Sequence, residues 1–106
     1  MNVKELKERE DYEFECNIGE SYKDKETDEW GCASVWIGDM GVEYNFCIDG
    51  GENYCAIYKM EFDHKTGYAE TDYDVYEHYE IDFDDEHWME NLENAMCKAL
   101  IEFFEL

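Results

Sequence analysis

The side chains in this sequence with the greatest capacity for chemistry are carboxylates, and they are concentrated. Between Thr66 and Cys97 there is no Lys or Arg, while Glu70, Asp72, Asp74, Glu77, Glu80, Asp82, Asp84, Asp85, Glu86, Glu90 and Glu93 all fall in that window. Such a density of acids can serve catalysis, hold a hard cation, or meet a cationic surface. Catalysis by paired carboxylates needs two groups whose environments set them apart as acid and base. Here pairs are so plentiful that none stands out. A nucleophilic pair would draw on Cys16, Cys32, Cys47, Cys55 or Cys97 with His64, His78 or His87, and no spacing selects one. Gly50-Gly51 reads as a turn, not a phosphate loop. The expectation is a protein that is not an enzyme, with no catalytic residue.

Cation binding fares little better. A Ca²⁺ loop of the EF-hand kind needs acids at alternating positions, a central Gly and a bidentate Glu at its end. Asp72-x-Asp74-x-Tyr76 begins that way, breaks at the third position and lacks the Gly. Zinc would need a C-x-x-C or paired-His signature, and neither is present. Cys47 and Cys55, which flank a hairpin turn, read as two small strand residues. No metal and no cofactor is expected.

The third use depends on how the acids are displayed. The segment Tyr68 to Phe83 reads as one long strand, in which residues two apart share a face. Tyr73, Val75, Tyr79, Ile81 and Phe83 then face the core. Asp72, Asp74, Tyr76, His78, Glu80 and Asp82 face water. Same-face carboxylates would repeat every 6.6 to 6.8 Å or about that, twice the strand rise, the order of the separation between phosphates along a nucleic-acid strand. Asp84, Asp85 and Glu86 would continue the row at the start of a helix. Clefts that bind DNA gain much of their affinity from Lys and Arg contacts to phosphate, and a rigid carboxylate row competes for the same groups. Tyr76 in such a row can stack on Arg. The candidate partner-binding face is therefore Glu70, Asp72, Asp74, Tyr76, Glu77, Glu80, Asp82, Asp84, Asp85 and Glu86.

An acidic strand is most often a plain solvated face. Two features weigh against that here. The 106-residue chain carries 30 acidic and 8 basic residues, a formal net charge of −22, and the window has no Lys to form local ion pairs. Adaptation to high salt also gives acidic surfaces, but the cysteines, the abundant Tyr and Phe and the excess of Glu over Asp argue against it.

The elements that must position this face are legible from patterning. Residues 2–9 read as a short helix capped by Asn2, with Val3 and Leu6 inward. Tyr12, Phe14, Cys16 and Ile18 alternate with Glu13, Glu15 and Asn17, a half-buried strand. Residues 20–29 read as a polar loop. Cys32 to Gly38 is a strand, Asp39-Met40-Gly41 a hairpin turn, and Val42, Tyr44, Phe46 and Ile48 the inward row of the next strand. After a turn at Asp49-Gly50-Gly51, Tyr54, Ala56, Tyr58, Met60 and Phe62 form another inward row. His64-Lys65-Thr66-Gly67 is a third turn. Val35, Ile37, Cys55 and Ile57 fall on the second sheet face, where either the N-terminal segment covers them or they mark a homodimer or partner patch. Trp88, Leu92, Ala95, Met96, Ala99, Leu100 and Phe103 recur at helical spacing. Asp84 is the expected N-cap of that helix, with Phe83 and Trp88 as a hydrophobic staple. The fold class is α+β: an antiparallel meander sheet of four to five strands, a C-terminal amphipathic helix on one face, and a short N-terminal helix, all in one domain spanning residues 1–106.

Composition narrows the partners. With 44% hydrophobic and 17% aromatic residues, the chain has the material for a core and is unlike an aromatic-poor disordered tail. Its charge would repel DNA, RNA and anionic lipid, so neither direct nucleic-acid binding nor membrane association is expected. No apolar stretch is long enough to span a bilayer, and Met1 to Asp11 is too charged for a signal peptide. Five cysteines at scattered spacings point to reduced thiols and the cytoplasm.

Glu70-Thr-Asp72-Tyr-Asp74 and Ile81-Asp82-Phe-Asp84-Asp85-Glu86, set in a domain of this size, resemble the small acidic inhibitors of phages and mobile elements: DNA-mimic anti-restriction and anti-CRISPR proteins. The resemblance spans the whole chain as a class likeness with no diagnostic motif, so no residue role carries over by position. It implies an inhibitor that keeps a nuclease complex, such as a CRISPR effector or restriction enzyme, from binding DNA in the host cytosol. The alternatives are an acidic immunity protein or antitoxin for a basic toxin, and a divalent-cation-binding protein.

Overall fold

A computed structural model describes residues 1–23, 29–47 and 56–106, with side chains described for 1–17, 31–45 and 56–106. In chain order the elements are α1 (Val3–Lys7), β1 (Tyr12–Lys23), β2 (Glu29–Ile37), β3 (Met40–Cys47), β4 (Ala56–Asp63), β5 (Tyr68–His78) and α2 (Trp88–Phe103). The strands form one sheet in the order β1-β2-β3-β4-β5, with neighbours antiparallel. This is the expected α+β meander, and both helices lie on one side of it.

Local chemistry explains the ends of the elements. Asn2 and Glu5 close a capping box: Asn2 Oδ1 accepts from the Glu5 N–H at 2.9 Å and Glu5 Oε1 from the Asn2 N–H at 3.3 Å, satisfying two donors that a helix start leaves open. The β2–β3 hairpin turns at Gly38-Asp39, because Ile37 pairs with Met40. That is one residue earlier than expected. Gly38 supplies the positive φ of 57° that the tight connection demands. Gly41 is already in β3, where its missing side chain has another use, described below.

The pairing register decides the two faces. Val35 is opposite Val42, Ala33 opposite Tyr44, and Tyr44 opposite Ile57. Directly opposed residues share a face, so these side chains meet α2 together. Ala33, Val35, Ile37, Val42, Tyr44 and Ile57 are at most 3% exposed, as are Leu6 from α1 and Leu92, Met96, Cys97, Ala99 and Leu100 from α2. Val35, Ile37 and Ile57 are thus core residues and form no second-face patch. In β4 the inward row is offset by one from the expectation. Ile57 points to the core, while Ala56, Tyr58, Met60 and Phe62 occupy the opposite face. A one-residue offset moves a whole strand's side chains across the sheet, and β4 carries apolar residues at both parities, so its pattern does not choose. Cys55, Tyr54, Ile48 and the turn Asp49-Gly50-Gly51 lie outside the described residues, as do the side chains of Ile18, Phe46 and Cys47.

Three boundaries also differ from the sequence reading. Residues 20–23 and 29 are strand instead of loop, since backbone ladders run on past the point where side-chain alternation fades. β5 stops at His78, and residues 79–87 cross to the helix without strand pairing. Helix α2 starts at Trp88 with His87 at the N-cap, so Asp84 is not the cap. The staple contact survives this shift, with the Phe83 and Trp88 rings edge to face at 5.1 Å between centroids. Tyr79, Ile81 and Phe83 do pack against the core. Tyr44 anchors the crossing by donating its hydroxyl to the Tyr79 carbonyl at 2.6 Å. Tyr12 on β1 ties the sheet to α2 by donating its hydroxyl to Glu93, with Cys97 Sγ 3.5 Å away.

Candidate functional site

β5 is an edge strand, paired only with β4 among the described residues. Its register with β4 breaks: Tyr58 faces Tyr76, but the next residue, Lys59, faces Asp72. Residues 73–75 therefore bulge out of the ladder. The bulge, together with the early end of the strand, dissolves the expected straight row of carboxylates. Glu70, Asp72 and Glu77 stand on the α2 side of the sheet, opposite Glu61, Lys59 and Ile57. Tyr76 and His78 stand on the other side, and Asp74 sits in the bulge. Tyr73, expected inward, is 67% exposed, because the bulge turns it out of the core. Its ring packs edge-on against Tyr58, 5.2 Å between centroids.

In chain order these side chains make an acidic margin. It runs along β5 through Glu80 and Asp82 to the turns at Asp84, Asp85 and Glu86. Every carboxylate of the sequence-derived set is exposed except Asp85, which is half-buried. No Lys or Arg among the described residues comes within ion-pairing distance of any of them. The cations that pair do so elsewhere: Lys7 with Glu93 at 3.8 Å, Arg9 with Asp11 at 2.8 Å, Lys59 with Glu61 at 3.7 Å. Glu86 approaches His87 at 3.4 Å.

Several of these acids also hold the backbone. Asp72, Asp82 and Asp85 each accept the N–H two residues on, from Asp74 at 3.0 Å, Asp84 at 3.0 Å and His87 at 2.8 Å, as short acidic side chains do in turns. Asp85 Oδ2 also accepts from Asn91 Nδ2 at 3.2 Å. Asp74, Glu80 and Asp84 carry no such bond, so their charge faces solvent without a structural duty. Partial burial, and behind it the Glu102 carboxylate on α2, hold the Glu77 carboxyl above the usual range. Glu102 is a member of this acidic margin that the sequence did not reveal, since it lies far from β5 in the chain.

Other chemistry has been placed as well. Cys16, Cys32 and Cys97 are free thiols, and burial pushes Cys16 and Cys97 upward from the ordinary thiol range. Among the described residues no group of three or more His, Cys, Asp or Glu side chains is arranged to hold a metal ion. No described helix is long and apolar enough to cross a membrane. His64, in the β4–β5 turn, meets Asp39 at 2.7 Å and packs edge-on against Phe62. No protein-family model, curated protein or solved structure matches this chain.

Proposed function

We propose that this protein is a non-enzymatic inhibitor that enters the basic nucleic-acid-binding cleft of a nuclease complex in place of DNA, as anti-restriction and anti-CRISPR proteins do. The observation that supports this reading is the acidic margin from Glu70 to Glu86, exposed and without a Lys or Arg partner among the described residues. Uncompensated like charge works against a compact state, and a cationic cleft is the surface that would relieve it. Among the exposed acids that accept no turn bond, Asp74, Glu80 and Asp84 are the ones assigned to the partner. Working in a host cell's cytosol, such a protein would need no cofactor.

The test is competition. The protein is titrated into a panel of nucleases holding labelled DNA, including guide-loaded CRISPR effectors and restriction enzymes, at low and moderate salt. Displacement from one member at near-stoichiometric protein, persisting at moderate salt, is the expected outcome. The variant D74K/E80K/D84K keeps every turn bond and should lose potency on the order of a hundredfold, because each Lys sets like charge against the cleft. Displacement from all members at low salt only is polyanion behaviour and overturns the proposal, as does unchanged potency in the folded variant. Protection against one basic toxin nuclease without DNA displacement assigns the protein to the immunity class instead.

A further inference from the structure

Among the described residues no helix lies over the sheet face opposite α1 and α2, where Trp36 is half-buried and Ala56 and Met60 are 3% and 5% exposed. Across it, row by row, the register places Glu13, Trp36, Gly41, Met60 and Thr71, then Glu15, Ser34, Glu43, Tyr58 and Tyr76. Among the described residues this face carries the carboxylates of Glu13, Glu15 and Glu43 and no Lys or Arg. A groove of about 330 Å³ runs over it, with Glu15 toward the β1 side, Met60 and Ala69 toward the β5 side, and Trp36 and Ser34 between them. That volume is in the range of small-ligand sites, roughly 300–1,000 Å³.

Two details show how the groove is built. A Cβ on Gly41 would lie 2.6 to 2.8 Å from three ring atoms of Trp36, so the indole lies against bare backbone, with its other face turned away from the sheet. Glu43 reaches across β4 and accepts the Thr71 hydroxyl at 3.0 Å, which fixes one carboxylate at the β5 side while Glu15 holds another at the β1 side. An indole face with Glu13 opposite it on β1 and Glu15 and Glu43 one row along is the chemistry that receives a cation: the ring attracts it through its quadrupole and the acids neutralise it. Exposed Tyr73, Tyr76 and Phe62, at 67%, 47% and 37%, extend the aromatic surface along β4 and β5.

We propose that this open sheet face docks an arginine-bearing segment of a partner protein, with a guanidinium seated on Trp36 between Glu15 and Glu43. Charge complementarity selects the occupant. A second copy of this chain would bring another −22 to the contact, and an anionic lipid surface would be repelled likewise. The inference rests on the proposed function only for the positive charge of the partner. It adds a second docking surface, separate from the acidic margin.

Tryptophan indole signals distinguish the two surfaces, since Trp36 marks the open face and Trp88 the margin beside Phe83. The ¹⁵N-labelled protein is titrated with the peptide Ac-Gly-Arg-Gly-Arg-Gly-NH₂ at about 150 mM salt, where exposed long-range attraction is largely screened. The Trp36 indole N–H should shift and saturate while that of Trp88 moves less. E15Q/E43Q should weaken binding about tenfold, a loss of roughly 1.4 kcal/mol, and D82N/D84N, which removes the same number of charges, less than twofold. A Trp88 shift with Trp36 unmoved, or equal weakening by the two pairs, overturns the inference. Trp36 binding with no DNA displacement in the competition assay upholds this docking face and overturns the nuclease-cleft reading. DNA displacement with Trp36 unmoved does the reverse.

Discussion

Two residues show how side-chain contacts in this protein depend on partners in neighbouring elements. Gly41 is required by Trp36, whose ring occupies the place a side chain would take. Gly41→Ala must lift the indole or shift β3, and overpacking of this kind costs about 1–3 kcal/mol. Urea unfolding should report that loss, and a change in tryptophan emission in the folded protein should confirm that Trp36 has moved. Tyr12 is the second case. Its hydroxyl donates to Glu93, and burial followed by that contact raises it well above the ordinary phenol range. The phenol therefore stays protonated, a donor throughout the range in which the protein is handled. Tyr12→Phe leaves a half-buried carboxylate short of a donor, with Lys7 still 3.8 Å away. The expected loss is about 1–2 kcal/mol, measurable by the same unfolding experiment, with the sheet-to-helix contact otherwise intact.

At the scale of elements, the turn from residue 79 to α2 is where sequence reasoning and structure part. Asp84, Asp85 and Glu86 suit a first helical turn by type, yet the helix begins at Trp88. Asp85 does the work from outside, accepting the His87 N–H and the Asn91 amide. Asp85→Ala should therefore destabilise the fold by about 1 kcal/mol, as loss of a capping acceptor does. Asp85→Asn keeps an acceptor for the His87 N–H but gives up the one for the Asn91 amide, and should cost about half as much. Asp84→Ala should cost little, and a thermal melt of the three variants separates the two cap assignments. Much else of the fold was open to reading. The α2 stripe and the alternation in β1 rest on periodicity and the Asn2 cap on residue type, and each is found. The faces of β2 and β4 were not readable, because Val35 and Ile37 compete with Cys32 and Trp36, and Ile57 with Ala56 and Met60, so each strand is apolar at both parities and only pairing with β3 chooses. The acidic set was found by composition, but its shape was not, since the bulge at 73–75 has no Gly or Pro to announce it. That bulge and the carboxylates around it also blunt an edge strand that could otherwise template pairing with another chain, so one feature discourages strand addition and displays charge.

For the whole molecule, charge sets the response to solution conditions. A net charge of −22 means that self-repulsion opposes the compact state, and salt should relieve it by screening. The melting temperature should therefore climb as sodium chloride rises from about 20 to 200 mM, in contrast to a protein held by surface ion pairs. Mild acid should act in the same direction, and Glu77 gives that effect an address. Its carboxyl is held above the usual range by burial and by Glu102, so the folded state binds this proton more tightly than the unfolded chain does. By linkage the folded state is then favoured as pH falls through the folded value, fully so below the unfolded value of about 4.3. The same contribution is lost as pH rises again. Stability should thus increase from pH 7 toward about pH 5. Glu77→Gln removes the repelling charge outright. It should raise the melting temperature at pH 7, leave it nearly unchanged once the pH is well below the unfolded value, and flatten the slope between them. A variant that is no more stable than the parent at pH 7, with an unaltered slope, would show that the Glu77–Glu102 contact carries none of the acid response and that the repulsion is spread evenly over the surface.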